Sequence, residues 1–149
     1  MKKFQFNLEG LLTLREWEEQ QARQALGLVF KEIERLNRMV EDLSQQLTDA
    51  FAAWNENSAH SFSPTDRHAL AAQLAGIEKS KEEAVSALQA SLEKRQAEMD
   101  RLALATRRKK VVENLKQKRL EEYRADEYRE EIRENEDLFN SRYNRRTRE

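Results

Sequence analysis

The chain has 149 residues, 37% of them charged, with one proline, three glycines, no cysteine and a formal net charge of −1. Ala, Glu, Lys, Leu, Arg and Gln dominate it, the composition of long helices and coiled coils, and so polar a chain cannot enclose a thick apolar core. Without cysteine, disulfides and thiolate chemistry are excluded.

The N-terminus begins with two lysines, but Gln5, Asn7 and Glu9 interrupt the apolar run that a signal peptide needs. No stretch approaches the ~20 apolar residues of a membrane span, so a soluble, cytoplasmic protein is expected. From Leu8 to Trp54 the residues at alternating steps of three and four are Leu8, Leu12, Arg15, Glu19, Ala22, Leu26, Val29, Ile33, Leu36, Val40, Leu43, Leu47, Ala50 and Trp54. Only Arg15 and Glu19 are polar. A stripe two residues wide in seven is a coiled-coil seam rather than the broader face of a globular helix. Helix 1 is therefore predicted over about 5–57.

The segment "NENSAHSFSPTDRH" (55–68) holds the only proline. Ser63 is a good N-cap, Pro64 suits the first helical position, and Asp66 places a negative charge at the positive helix end. Upstream, Asn55, Asn57 and Ser58 disfavour continuation, and Asn57 suits a left-handed C-terminal position. A turn over about 58–63 follows, then a second helix over about 64–138 and a tail over 139–149. A kink in one continuous helix is the alternative reading of Pro64.

Helix 2 carries Leu70, Leu74, Ile77, Ala84, Leu88, Leu92, Met99, Leu102, Val112 and Leu115 at helical spacing. Lys81, Arg95 and Lys109 also fall on the stripe, and its phase drifts through Val85, Leu92 and Met99 as in a heptad stutter. A short turn favours antiparallel packing. The expected fold is all-α, a single domain over 1–149 in which two long helices form an antiparallel coiled-coil hairpin. A turn centred near residue 61 puts Trp54 near His68, Leu47 near Leu74, Ile33 near Leu88 and Leu8 near Leu115. It also brings the acidic group Glu16, Glu18 and Glu19 close to the basic group Arg107–Lys110.

The second helix outlasts the first, and everything beyond about residue 118 is expected to lack an intramolecular partner. Its charges are banded. Residues 101–120 carry eight basic and one acidic side chain, 121–137 nine acidic and three basic, and 138–149 four basic and one acidic, so the net charge conceals three zones. Tyr123, Tyr128, Ile132, Leu138, Phe139 and Tyr143 are expected to be uncovered, as in a partner-binding segment; a frayed, solvated tail is the plainer reading.

Little here carries chemistry. His60 and His68 are the only histidines and lack a third ligand, so no metal site is expected. No P-loop, phosphate-binding glycine motif or nucleophile motif is present. The reading is a non-enzyme with no cofactor and no small-molecule substrate. The basic run "RRKKVVENLKQKR" (107–119) allows nucleic-acid contact, but a pI near 6.2 and the acidic band beside it disfavour phosphate. These cations also have a simpler use, in answering the acidic start of helix 1.

The N-terminal "KKFQFNLEGLLTLREWEEQQA", the loss of helix near residue 60 and the C-terminal "KKVVENLKQKRLEEYR" resemble the flagellar export protein FliJ family. The resemblance implies an antiparallel two-helix coiled coil similar to the central stalk subunit of rotary ATPases. It implies a stalk of the flagellar type III export apparatus, cytoplasmic and peripheral at the inner membrane. The end bearing both arms would enter the hexameric export ATPase, with Phe4, Phe6, Leu120, Tyr123, Arg124, Tyr128 and Ile132 at the ATPase-facing tip. The turn-proximal half would face the export gate membrane protein through Leu70, Leu74, Ile77 and Lys81. These match the family's gate-docking surface in position and spacing, although Lys81 departs in residue type and the three apolar residues are also plain seam positions. Export chaperones are further implied partners. A generic coiled-coil scaffold or adaptor, self-associating or bound to nucleic acid through 107–119, stands as the alternative.

Overall fold

A computed structural model describes residues 2–60 and 63–146. Two helices, α1 (Glu9–Ser58) and α2 (Pro64–Arg146), pack on each other as a hairpin. The centre of the predicted turn, near residue 61, lies outside the described residues. The chain resolves into two compact units, one built from Met1–Gln20 with Leu104–Glu149 and the other from Gln21–Ala103; the sequence reading treats them as one domain.

In the unit formed by Gln21–Ala103, every predicted seam position of α1 from Ala22 to Trp54 is buried or half-buried. Val29, Ile33 and Leu36 are the best covered of the large side chains. On α2 the covered line runs Leu70, Leu74, Ile77, Lys81, Ala84, Leu88, Ser91, Arg95, Glu98 and Leu102, in unbroken steps of four and three. The expected phase drift does not occur, since Val85 and Met99 stay 46% and 44% exposed. A stutter would force the facing helix to change its winding as well, and α1 keeps a strict heptad throughout. The seam therefore accepts Ser91, Arg95 and Glu98: a long Arg stem can cover apolar surface while its head stays wet, and Glu98 is paired with Arg101 at 3.5 Å. The direction is antiparallel: Ala25, Val29 and Glu32 face Ser91, Lys94 and Glu98, while Leu47 lies beside Glu78, Lys81 and Glu82.

The start of α2 is capped as its sequence requires. The Asp66 backbone N–H donates to Ser63 Oγ at 3.1 Å, the Ser63 hydroxyl donates to the Asp66 carboxylate at 2.7 Å, and the Arg67 N–H reaches the Ser63 carbonyl at 3.0 Å. The end of α1 differs from expectation, because no described non-glycine residue has positive φ. Instead of a left-handed Asn57, two i→i+3 bonds tighten the last turn: Ala59 N–H to Glu56 O and His60 N–H to Asn57 O. At its other end, α2 continues as helix to Arg146 rather than stopping near 138. Arg145 and Arg146 in the last turn complement the negative helix end. The remainder of the expected tail, 147–149, lies outside the described residues.

In the unit that contains both termini, the facing charges anticipated from sequence do meet. Glu19 is only 4% exposed, and Lys109 Nζ sits 3.0 Å from its Oε2. The contact is electrostatic, off the hydrogen-bonding direction. Lys116 pairs with Glu9 at 2.9 Å. The register lies about one turn beyond the expected one, since a turn centred at 61 would set residue 113 rather than Lys116 opposite Glu9. Leu8 lies in the turn that precedes α1 and is 37% exposed.

Burial along one stripe gives a sharp contrast in tolerance. Ile33→Asp or Leu36→Asp places a charge in the seam and should lower the unfolding free energy by roughly 3 kcal/mol or more. Glu34→Ala, on the exposed face, should change it by under about 0.5 kcal/mol. Urea melts of the three variants measure this, and equal midpoints would overturn the seam.

Candidate partner-binding interface

The first residues of the chain do not form helix. Positions 2–6 are irregular and α1 begins only at Glu9, with its first N–H bonded to Phe6 O at 3.1 Å. The reason lies in the spacing of Phe4 and Phe6. Residues two apart share a face in extended chain and point to opposite sides of a helix, so both rings can meet α2 only if this stretch is not helical. Phe6 is buried in a cluster with Leu12 and Val112, against which Phe4, Leu11 and Leu115 pack. Lys116 Nζ lies 5.9 Å from the Phe6 ring centroid, a cation–π distance.

This segment reaches Tyr123. The Phe4 and Tyr123 rings stand 5.5 Å apart at 56°, and the Tyr123 hydroxyl donates to the Lys2 carbonyl at 2.8 Å. The expectation that nothing beyond residue 118 has an intramolecular partner is therefore corrected. Leu120, Tyr123 and Glu127 are half-buried, and the uncovered part of α2 starts at Tyr128. Extended chain advances more than twice as far per residue as helix, which is how so short an N-terminal segment covers additional turns of α2.

The seven expected tip residues thus separate into two groups. Phe4, Phe6, Leu120 and Tyr123 are occupied by packing. Arg124, Tyr128 and Ile132 are exposed, and Tyr128 is 64% so. Phe139, 70% exposed, extends the exposed group, and a shallow groove lined by Ile132, Asn135, Glu136, Phe139 and Asn140 runs along it. The second set, Leu70, Leu74, Ile77 and Lys81, is half-buried along the α2 seam; Lys81 also borders the groove beside Leu47. These four are brought onto one line by their spacing, as the sequence indicates.

Two residues escaped the sequence reading as participants. Lys116 ties Glu9 and the Phe6 ring to α2, and its only sequence signal was membership of a basic run. Asn135, between Ile132 and Phe139, reads as loop-favouring when taken alone. Of the basic run 107–119, Lys109 and Lys116 are held by carboxylates of α1, which supports the simpler reading of those cations. The hydrogen bonds from Arg35 lower the pKa of the Glu32 carboxyl, but both groups are exposed and neither belongs to either set. Among the described residues no three His, Asp or Glu side chains are grouped to hold a metal, and no helix is long and apolar enough to cross a membrane.

The packing of the N-terminal segment predicts its own hierarchy. Phe6→Ala should cost about 3 kcal/mol, since it opens the cluster around Leu12 and Val112. Tyr123→Phe should cost only about 1 kcal/mol, the loss of one exposed hydrogen bond. Thermal unfolding of both variants ranks them, and an unaffected Phe6→Ala would show that the segment is not docked.

The family model described as "Flagellar FliJ protein" matches residues 4–148. No curated protein and no solved structure matches the chain. With the match running almost from end to end, the chain belongs to the flagellar FliJ protein family, whose members are non-catalytic components of the flagellar export apparatus.

Proposed function

We propose that this chain is the stalk of the flagellar export ATPase: a non-enzymatic coupling element whose terminal end enters the hexameric ring and whose turn-proximal half docks on the export gate membrane protein. The observation that carries this reading is the exposed helix beyond Tyr128. It keeps helical structure to Arg146 and presents Tyr128, Ile132 and Phe139 with charge on either side. Aromatic and arginine side chains contribute disproportionately to interfaces, and a hairpin seam already satisfied elsewhere has no use for them. Phe4, Phe6, Leu120 and Tyr123 act in this reading as the rigid base from which Arg124, Tyr128 and Ile132 project. Leu70, Leu74, Ile77 and Lys81 serve the gate through the edges that the seam leaves uncovered. Export chaperones are further partners in this reading, and the site would be cytoplasmic, peripheral at the inner membrane.

The alternative of a nucleic-acid adaptor is disfavoured by the ion pairs that Lys109 and Lys116 make with α1 and by the acidic band that follows. Removing residues 128–149 separates the stalk from the scaffold reading. The deletion spares Tyr123 and its contacts, so the melting temperature should shift by no more than about 3 °C, while stimulation of the cognate ATPase should be lost. A shortened chain that still stimulates the ATPase fully would place the tip elsewhere.

A further inference from the structure

The covered line of α2 in the terminal unit runs through Val112, Lys116, Leu120, Tyr123 and Glu127. Extended by the same steps, it would meet Glu130 and Glu134. Most apolar residues that follow Tyr123, Leu138 and Tyr143 excepted, lie instead on a different line, rotated by roughly 150° at about 100° per residue. Ala125, Tyr128, Ile132, Asn135, Phe139 and Arg142 succeed one another in steps of three, four, three, four and three. This is a second heptad seam, beginning where the first loses its cover. Among the described residues from 128 to 146 every side chain is exposed, and the groove beside Ile132 and Phe139 lies on this line.

We infer that this second seam is filled by another copy of the same chain, packed antiparallel through α2. The charges decide both the occupant and the direction. In a parallel pair the flanking positions would set Arg124 against the second copy's Arg129 and Glu131 against its Glu136, and Arg142 would meet itself. In an antiparallel pair Arg129 faces Glu136 of the second copy, twice by symmetry, and Glu121 faces Arg146 at both ends. Only Arg124 against Arg145 opposes it. An acidic band followed by an arginine-rich end is complementary to itself read backwards, and such flanking charges set orientation in coiled coils. Asn135 in the seam holds the pair weak, because a buried amide specifies register at a cost in stability. The pair covers the same helix that the proposed stalk offers to the ATPase, so the two states exclude each other, and pairing would keep free chains from exposing that face away from the ring.

Sedimentation equilibrium of the full chain tests the pairing without the ATPase. The mass should rise with concentration from one chain toward two and fall back as salt is raised. Arg129→Glu should raise the dissociation constant about tenfold, from two equivalent pairs turned repulsive. Arg129→Glu combined with Glu136→Arg should restore it to within about twofold. A parallel pair behaves in the opposite way, since Arg129→Glu would then face Arg124 and tighten it. Tightening by Arg129→Glu, or failure of the combined variant to restore association, overturns the antiparallel seam. A mass of one chain up to about 0.3 mM, with ATPase stimulation still lost on removing 128–149, overturns the pairing and assigns the face to the ATPase alone.

Discussion

The structure depends on a narrow stripe of apolar side chains that neither helix can bury by itself. Helix propensity alone leaves segments of this composition marginal in water, and most helical stability comes from packing one face. With 37% of residues charged, only two positions in seven are available for that purpose. The small buried residues Ala22, Ala50, Ala84 and Ala105 lie among the covered positions beside Val29, Ile33 and Leu36. This core is thin, and continuous pairing rather than depth supplies its stability.

A thin seam explains why polar residues are tolerated within it and why some matter. Arg95 is only half-buried, and Glu98, its side chain 18% exposed, is paired with Arg101 at 3.5 Å. Glu19 is different: at 4% exposure its charge has few waters left, and Lys109 at 3.0 Å answers it. Such a pair contributes little net stability over an apolar pair of similar size, because desolvation offsets the attraction. It does penalise other registers, in which a buried carboxylate would face no cation. Glu19 and Lys109 therefore specify alignment, as Lys116 does when it joins Glu9 and Phe6.

The surface proposed for partners lies where this pairing ends. The N-terminal segment closes the last covered turns through Phe4, Phe6 and Tyr123, and α2 continues uncovered with most of its apolar residues on a rotated line. A chain that needed only a stable hairpin would place Glu and Lys there. The exposure of Tyr128, Ile132 and Phe139 is what supports both proposed occupants, the ring of the export ATPase and a second copy of the chain.

The sequence by itself determined the heptad of α1, whose seam positions from Leu12 to Trp54 are all at least half-covered, and the Ser63–Asp66 cap. Both follow from local rules: side-chain periodicity and the bonding of free N–H groups at a helix start are functions of spacing alone. It also indicated that the acidic start of α1 meets the basic run of α2, because opposite charges on paired helices seek each other. Only the tertiary structure decided the register, the unbroken heptad of α2 through Ser91 and Glu98, and the docking of Phe4 and Phe6 that moves the exposed surface from about residue 118 to Tyr128. Those outcomes depend on which residues of one helix face which of the other. Several alignments bury similar stripes, and the choice among them rests on contacts between residues as far apart in the chain as Lys2 and Tyr123.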